Sequence, residues 1–148
     1  MSAEDRMTAT FDTLRSEFRA REKKEFLSEL EGQILDDDNL REAILRRRLP
    51  SAPYFMVTFD RKPNDASFSY AFADLVLVAL DRIGGGSGIF KPINQLRVLR
   101  WNASGDDLLR VLRAVSRVNA HLKFRRLLVA PYPVPPVGWK LDPKPYLR

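Results

Sequence analysis

A strand, a helix and a second strand follow one another directly in residues 95–130, and this order constrains the fold more than any other stretch of the chain. Residues 96–101 are rich in strand-forming side chains, and residues 102–105 favour a turn. Apolar residues then recur at helical spacing in residues 106–121, and residues 125–130 form a second apolar run. We therefore predict a domain that mixes helices with strands.

The preceding residues extend this order to six elements. Residues 54–59 are apolar and β-prone, which predicts a buried strand. Residues 67–83 suit either a strand or a helix, but they lack two-residue alternation, so we predict a helix that ends at the glycines of residues 84–86. A short strand is expected at residues 89–93. This order predicts an α+β fold with a ferredoxin-like split βαβ (βαββαβ) sheet over residues 54–130.

Helices are predicted throughout the N-terminal third of the chain. Residues 3–35 have helical spacing and indicate one long helix or two shorter ones. Asn39 and Glu42 have the spacing of a capping box, which predicts a short helix at residues 40–49.

Prolines mark the predicted domain boundaries. Two of them fall within residues 50–53, so we divide the chain into a helical N-terminal arm (1–50) and the α+β domain (54–130). Residues 131–148 contain six of the ten prolines and predict a proline-rich tail without regular structure.

Two motifs suggest ligand sites, but a structural role is favoured for both. The three aspartates at residues 36–38 lack the glycine and the later glutamate of a calcium loop, so helix capping is favoured over a metal ion. The glycine-rich residues 84–88 lack the lysine and hydroxyl spacing of a nucleotide loop. His121 is the only histidine, and a position at a helix end is favoured over catalysis. We predict no metal site and no cofactor.

Composition limits the compartment. The chain has no cysteine, which fits a cytoplasmic protein. The longest apolar run, residues 75–80, is far shorter than the roughly 20 residues that span a bilayer. We therefore expect no membrane partner.

Positive charge is concentrated after the first 50 residues. Residues 1–50 carry 10 Lys and Arg against 12 Asp and Glu, whereas residues 51–148 carry 15 against 7, so the net charges are −2 and +8. Excess positive charge favours a polyanion such as DNA or RNA as partner, and solubility alone is the alternative. The candidate nucleic-acid-binding residues are Arg97, Arg100, Arg110, Arg113, Arg117, Lys123, Arg125 and Arg126.

The N-terminal helices carry large apolar side chains that need burial. They are Phe11, Leu14, Phe18, Phe26, Leu30 and Ile34. These residues either bind a partner protein or a second copy of the chain, as in a phage-like or secretion-type assembly, or pack on their own domain. The sequence leaves both alternatives open.

A resemblance to one family suggests an enzymatic alternative. A strand closed by Asp60, a later strand with the turn at residues 102–107 and its helix, and the strand at residues 125–130 together resemble the small CRISPR-adaptation nuclease and virulence-associated protein D superfamily. The resemblance implies a homodimer in which Asp60 holds a metal ion for nuclease chemistry. We predict instead a nucleic-acid-associated binding or assembly protein without catalysis, and keep the nuclease as the alternative.

Overall fold

A computed structural model of the chain contains helices and strands and confirms the α+β class. It describes residues 2–45, 54–60, 70–86, 89–93, 96–101, 103–122 and 124–132. Within these residues the elements are α1 (Ala3–Glu17), α2 (Arg21–Asp36), α3 (Asp38–Leu45), β1 (Tyr54–Asp60), α4 (Tyr70–Ile83), β2 (Phe90–Ile93), β3 (Leu96–Arg100), α5 (Gly105–Val118) and β4 (Arg125–Tyr132). The predicted proline-rich tail lies outside the described residues beyond Tyr132.

The four strands form one sheet in the order β2-β3-β1-β4, and each neighbouring pair is antiparallel. Along β1 the side chains of Phe55, Val57 and Phe59 are buried, whereas the residues between them are partly exposed. Because side chains alternate across a strand, only one face of β1 contributes to the main core. That core is shared with α4 and α5.

The segment that suited either a strand or a helix is the helix α4. From Leu75 to Asp81 every residue of α4 is buried, so its apolar residues show no single stripe. A helix that is apolar on all sides needs cover on all sides. The sheet covers α4 on one side, and α1 and α2 pack against it on another.

The N-terminal helices share one hydrophobic core with the sheet. Met7, Phe11 and Leu14 of α1 are completely buried, α1 packs on α4, and α3 packs on α5. Arg82 Nη1 of α4 also donates a hydrogen bond to the Glu17 carboxylate of α1 at 2.9 Å. Residues 2–45 therefore form a layer over α4 and α5.

Several predicted boundaries were wrong by a few residues. Of the two alternatives predicted for residues 3–35, the structure has the two shorter helices, α1 and α2, but α3 begins at Asp38 rather than at residue 40. Its cap is Asp37, whose carboxylate accepts a hydrogen bond from Leu40 N at 3.1 Å, and not Asn39. Strand β4 continues through Pro131, which its position at the edge of the sheet allows.

Within the described residues, no helix combines the length and the apolar character needed to cross a bilayer.

The glycines after α4 form a tight turn over a buried carboxylate. Gly85 has φ +90, a conformation that glycine adopts without steric cost. A Cβ on Gly86 would overlap the Asp81 carboxylate, which is completely buried and accepts a hydrogen bond from Arg100 N at 2.7 Å. Gly86 is therefore required by the packing of Asp81 and Gly85 by the turn, so a nucleotide is not needed to explain these two glycines.

We expect Gly86→Ala to lower the free energy of unfolding by about 1–3 kcal/mol, because the added methyl group overpacks the site that Asp81 fills. Gly32→Ala is the matched control, since a Cβ there meets no atom within 4 Å. As Gly32 lies inside α2, this control should stabilise the protein by about 0.5–1 kcal/mol. Chemical denaturation of both variants tests the prediction, and equal stability of Gly86→Ala and wild type would contradict it.

Candidate nucleic-acid interface

Helix α5 is strongly amphipathic, and its polar face carries arginines. Leu108, Val111, Leu112 and Val115 are buried against the core. The helix starts where the Ser104 hydroxyl accepts a hydrogen bond from Asp107 N at 3.1 Å, which caps its first turn. With the apolar stripe fixed inward, the remaining face of α5 points to solvent.

Three arginines share that outer face. Arg110, Arg113 and Arg117 are exposed, and at about 100° per residue their positions fall within about 60° of one another around the helix axis. Arg126 of β4 is also exposed and lies beside them. We call these four residues, Arg110, Arg113, Arg117 and Arg126, the arginine surface.

Two shallow depressions show that the arginine surface is continuous. The first has a volume of about 420 Å³ and is lined by Arg113, Ser116, Arg117, Phe124, Arg126 and Leu127. We call it the Phe124 depression. The second has a similar volume and is lined by Asp106, Leu109, Arg110, Arg113 and Arg117. The two share Arg113 and Arg117, so a single extended ligand can contact all four arginines.

Arg126 reaches this surface through an irregularity in β4. Thr58 pairs with Leu128 but Asp60 pairs with Arg125, so the register shifts between these two pairs. Arg126 lies in the shift with φ 54, a left-handed conformation that costs a non-glycine residue about 1–2 kcal/mol. Strict alternation would place Arg126 on the sheet face that Leu128 occupies. The bulge instead brings it beside Arg113 and Arg117.

The arginine surface keeps most of its charge available. Arg110 Nη1 lies 3.3 Å from Asp107 Oδ1 of its own helix, but its side chain is 65% exposed. Arg113, Arg117 and Arg126 form no ion pair with any carboxylate in the described part of the chain.

Several acids of the N-terminal helices pair with arginines outside the arginine surface. Glu4 lies 3.4 Å from Arg41, and Glu31 lies 2.8 Å from Arg15. The Glu17 carboxylate accepts a hydrogen bond from Arg82 of α4. Among the described residues, no acid of residues 2–45 forms an ion pair with the arginine surface.

The prediction that Arg97 binds nucleic acid was wrong. Its side chain has 0% exposure, and its Nε donates a hydrogen bond to Asp74 Oδ1 of α4 at 2.5 Å. Its guanidinium carbon lies 5.2 Å from the ring centre of Phe59 and 5.9 Å from that of Tyr70. Arg97 occupies a position that faces the core, so no phosphate can reach it.

Arg100 lies away from the arginine surface, and two other predicted residues cannot be placed because their side chains lie outside the described part of the chain. Arg100 is partly buried and, by alternation from Leu99, faces the side of the sheet away from the helices. Lys123 lies outside the described residues. The backbone of Arg125 pairs with Asp60, but its side chain is also outside them.

Asp60 ends β1 in a partly exposed position opposite Arg125. Among the described residues no group of three or more His, Asp or Glu side chains comes together as metal ligands would. His121 follows α5 and contacts the rings of Phe26 and Phe72, at 5.7 and 5.3 Å between centroids.

The apolar residues considered as partner-binding lie in the protein's own core. Five are at most 2% exposed, namely Phe11, Leu14, Phe26, Leu30 and Ile34, and Phe18 is partly buried against the same core. A partner could reach these side chains only if the helices separated from α4 and α5. The sequence leaves two alternatives open, and in the structure these residues pack on their own domain.

Sequence reasoning missed Ser116, Phe124 and Leu127 as members of the surface. Phe124 stands between Lys123 and Arg125 in the sequence, and an aromatic residue inside a basic cluster is a known pattern of nucleic-acid binding. That pattern could have identified it.

No protein-family model matches this chain, and comparisons with curated proteins and with solved structures find no significant similarity. The functional argument therefore depends on the chemistry of the surface itself.

Proposed function

We propose that this protein binds nucleic acid through the arginine surface and catalyses no reaction there. The observation that carries the proposal is the grouping of four exposed guanidinium groups on adjacent parts of α5 and β4. Guanidinium groups donate paired hydrogen bonds to phosphate oxygens, and each neutralised phosphate releases counterions. These two effects make a polyphosphate backbone the ligand that suits this surface best.

The charge distribution supports the same partner. The net charge of +8 in residues 51–148 would attract a polyanion over distances of about one Debye length, about 8 Å at physiological salt. The arginine surface lies within this segment. Long-range attraction to the protein and direct contact with the arginine surface would then both favour a polyanion.

We further propose that the sheet is ferredoxin-like. This assignment is supported by the strand order β2-β3-β1-β4 and by the antiparallel pairing. It is also supported by the chain order, in which α4 connects β1 to β2 and α5 connects β3 to β4. Ferredoxin-like domains host many unrelated functions, so the functional proposal depends on the arginine surface and not on the fold.

Charge reversal on α5 tests the proposal. We expect Arg113→Glu with Arg117→Glu to weaken binding to DNA or RNA at least about tenfold and to reduce the slope of log affinity against log salt by about 2. The matched control is Arg19→Glu with Arg21→Glu, which changes the net charge equally at exposed positions near the start of α2. Fluorescence anisotropy with labelled oligonucleotides over a series of salt concentrations measures both quantities.

Equal weakening by the two double variants would show that net charge alone drives association, and it would contradict an assigned surface. No binding at about 50 mM salt, where phosphate contacts are strong, would reject the proposal altogether. Cleavage that requires Mg²⁺ or Mn²⁺ and disappears in Asp60→Asn would support the nuclease alternative instead.

A further inference from the structure

The Phe124 depression combines positive charge with an aromatic ring. Arg113, Arg117 and Arg126 line it together with the partly buried side chains of Phe124 and Leu127. Its volume of about 420 Å³ falls in the range of small-ligand sites, which is about 300–1,000 Å³. A surface that bound only phosphates would need the arginines but not the apolar side chains among them.

The ring of Phe124 is held in place from two sides. Its ring and that of Phe59 pack edge to face, with 5.1 Å between centroids and an interplanar angle of 78°. Its backbone N–H donates a hydrogen bond to Ser116 Oγ of α5 at 3.1 Å. Phe59 is itself 2% exposed, so the aromatic pair is anchored in the core. The part of Phe124 that lines the depression is therefore a preformed apolar surface.

We infer that the Phe124 depression receives an unpaired base of single-stranded nucleic acid, stacked on Phe124, while the surrounding arginines contact the adjacent phosphates. This inference rests on the proposed function. Fixed aromatic rings beside cationic groups are the usual means by which proteins bind single strands, since every base offers an apolar face. Bases within a duplex are stacked on one another and cannot enter such a depression.

Three fluorescent probes of about 12 nucleotides, within the size range of single-strand sites, test the inference on the full chain. They are oligothymidine, an abasic strand with the same number of phosphates, and a duplex. We expect wild type to bind oligothymidine at least about fivefold more tightly than the abasic strand, and more tightly than the duplex, at the same salt concentration.

Phe124→Leu should remove this preference, because it weakens the binding of oligothymidine more than that of the abasic strand. The control Phe18→Leu replaces another partly buried phenylalanine, near α1 and α2, and should keep the preference. Circular dichroism shows whether each variant folds. The comparison of probes on wild type needs no variant, so it decides the inference even if Phe124→Leu does not fold.

Equal affinity of wild type for oligothymidine and the abasic strand would overturn the inference and leave the proposed function intact. Tighter binding of the duplex would do the same. Failure to bind any of the three probes would reject the inference and the proposed function together.

Discussion

Phe11→Ala should lower the free energy of unfolding of the whole protein by about 3–5 kcal/mol. Phe11 is completely buried in α1, and α1 packs on α4, which lies between this helix and the sheet. Removing the ring leaves a cavity at the contact between the two layers. Since α4 also packs in the core beside the sheet, weaker packing of α1 on α4 should destabilise the strands as well as α1.

Denaturant unfolding followed by both circular dichroism and tryptophan fluorescence checks this expectation. Trp101 is buried near the sheet, whereas much of the helical signal comes from α1 to α3. If the two layers unfold as one cooperative unit, the two signals should change together. Val118→Ala is the control, since Val118 is 38% exposed on α5 and its truncation should change stability by less than about 0.5 kcal/mol.

A separate early transition for the helices, with the fluorescence transition unchanged in Phe11→Ala, would contradict this expectation. Residues 2–45 would then behave as an independent arm, and their apolar residues would again be candidates for binding a partner. If the transitions coincide, the N-terminal helices cannot be removed without exposing the buried surface of α4.

The sequence was sufficient to predict most elements, because their periodicity is local. The apolar stripe of α5 placed Arg110, Arg113 and Arg117 on one outer face, as the structure has them. The sequence did not show what covers the N-terminal helices, since that depends on contacts between distant parts of the chain. The largely apolar sequence of α4 was the available sign that a second layer must cover it.

Arg97 was predicted wrongly and the exposure of Arg126 correctly, and the reasons differ. Arg97 shares a strand face with Leu99 and Trp101, so alternation already indicated the core, but the partly buried acid that makes this position tolerable comes from α4. Arg126 could not be assigned to the surface from alternation, because a bulge and a left-handed residue redirect it. Local exceptions of this kind leave little trace in a single sequence.

The pair of Asp74 and Arg97 gives the second large expected effect. Asp74→Ala should lower the free energy of unfolding by about 3–5 kcal/mol, because it removes the carboxylate 2.5 Å from a guanidinium that has no exposure to water. Replacing both partners with apolar residues, Asp74→Leu with Arg97→Met, should restore most of this loss, since both desolvation costs then disappear. Thermal and denaturant unfolding of the single and double variants measures the coupling.

The double variant also separates stability from binding. Because Arg97 faces the core while the arginine surface lies on α5 and β4, a folded Asp74→Leu, Arg97→Met protein should bind oligonucleotides with the affinity and salt dependence of wild type. Arg113→Glu with Arg117→Glu should do the reverse, since it changes exposed positions and should leave stability nearly unchanged. Groups that share no contact are expected to act independently. Reduced nucleic-acid affinity in the folded Asp74→Leu, Arg97→Met variant would contradict this and would show that the core pair helps to position the arginine surface.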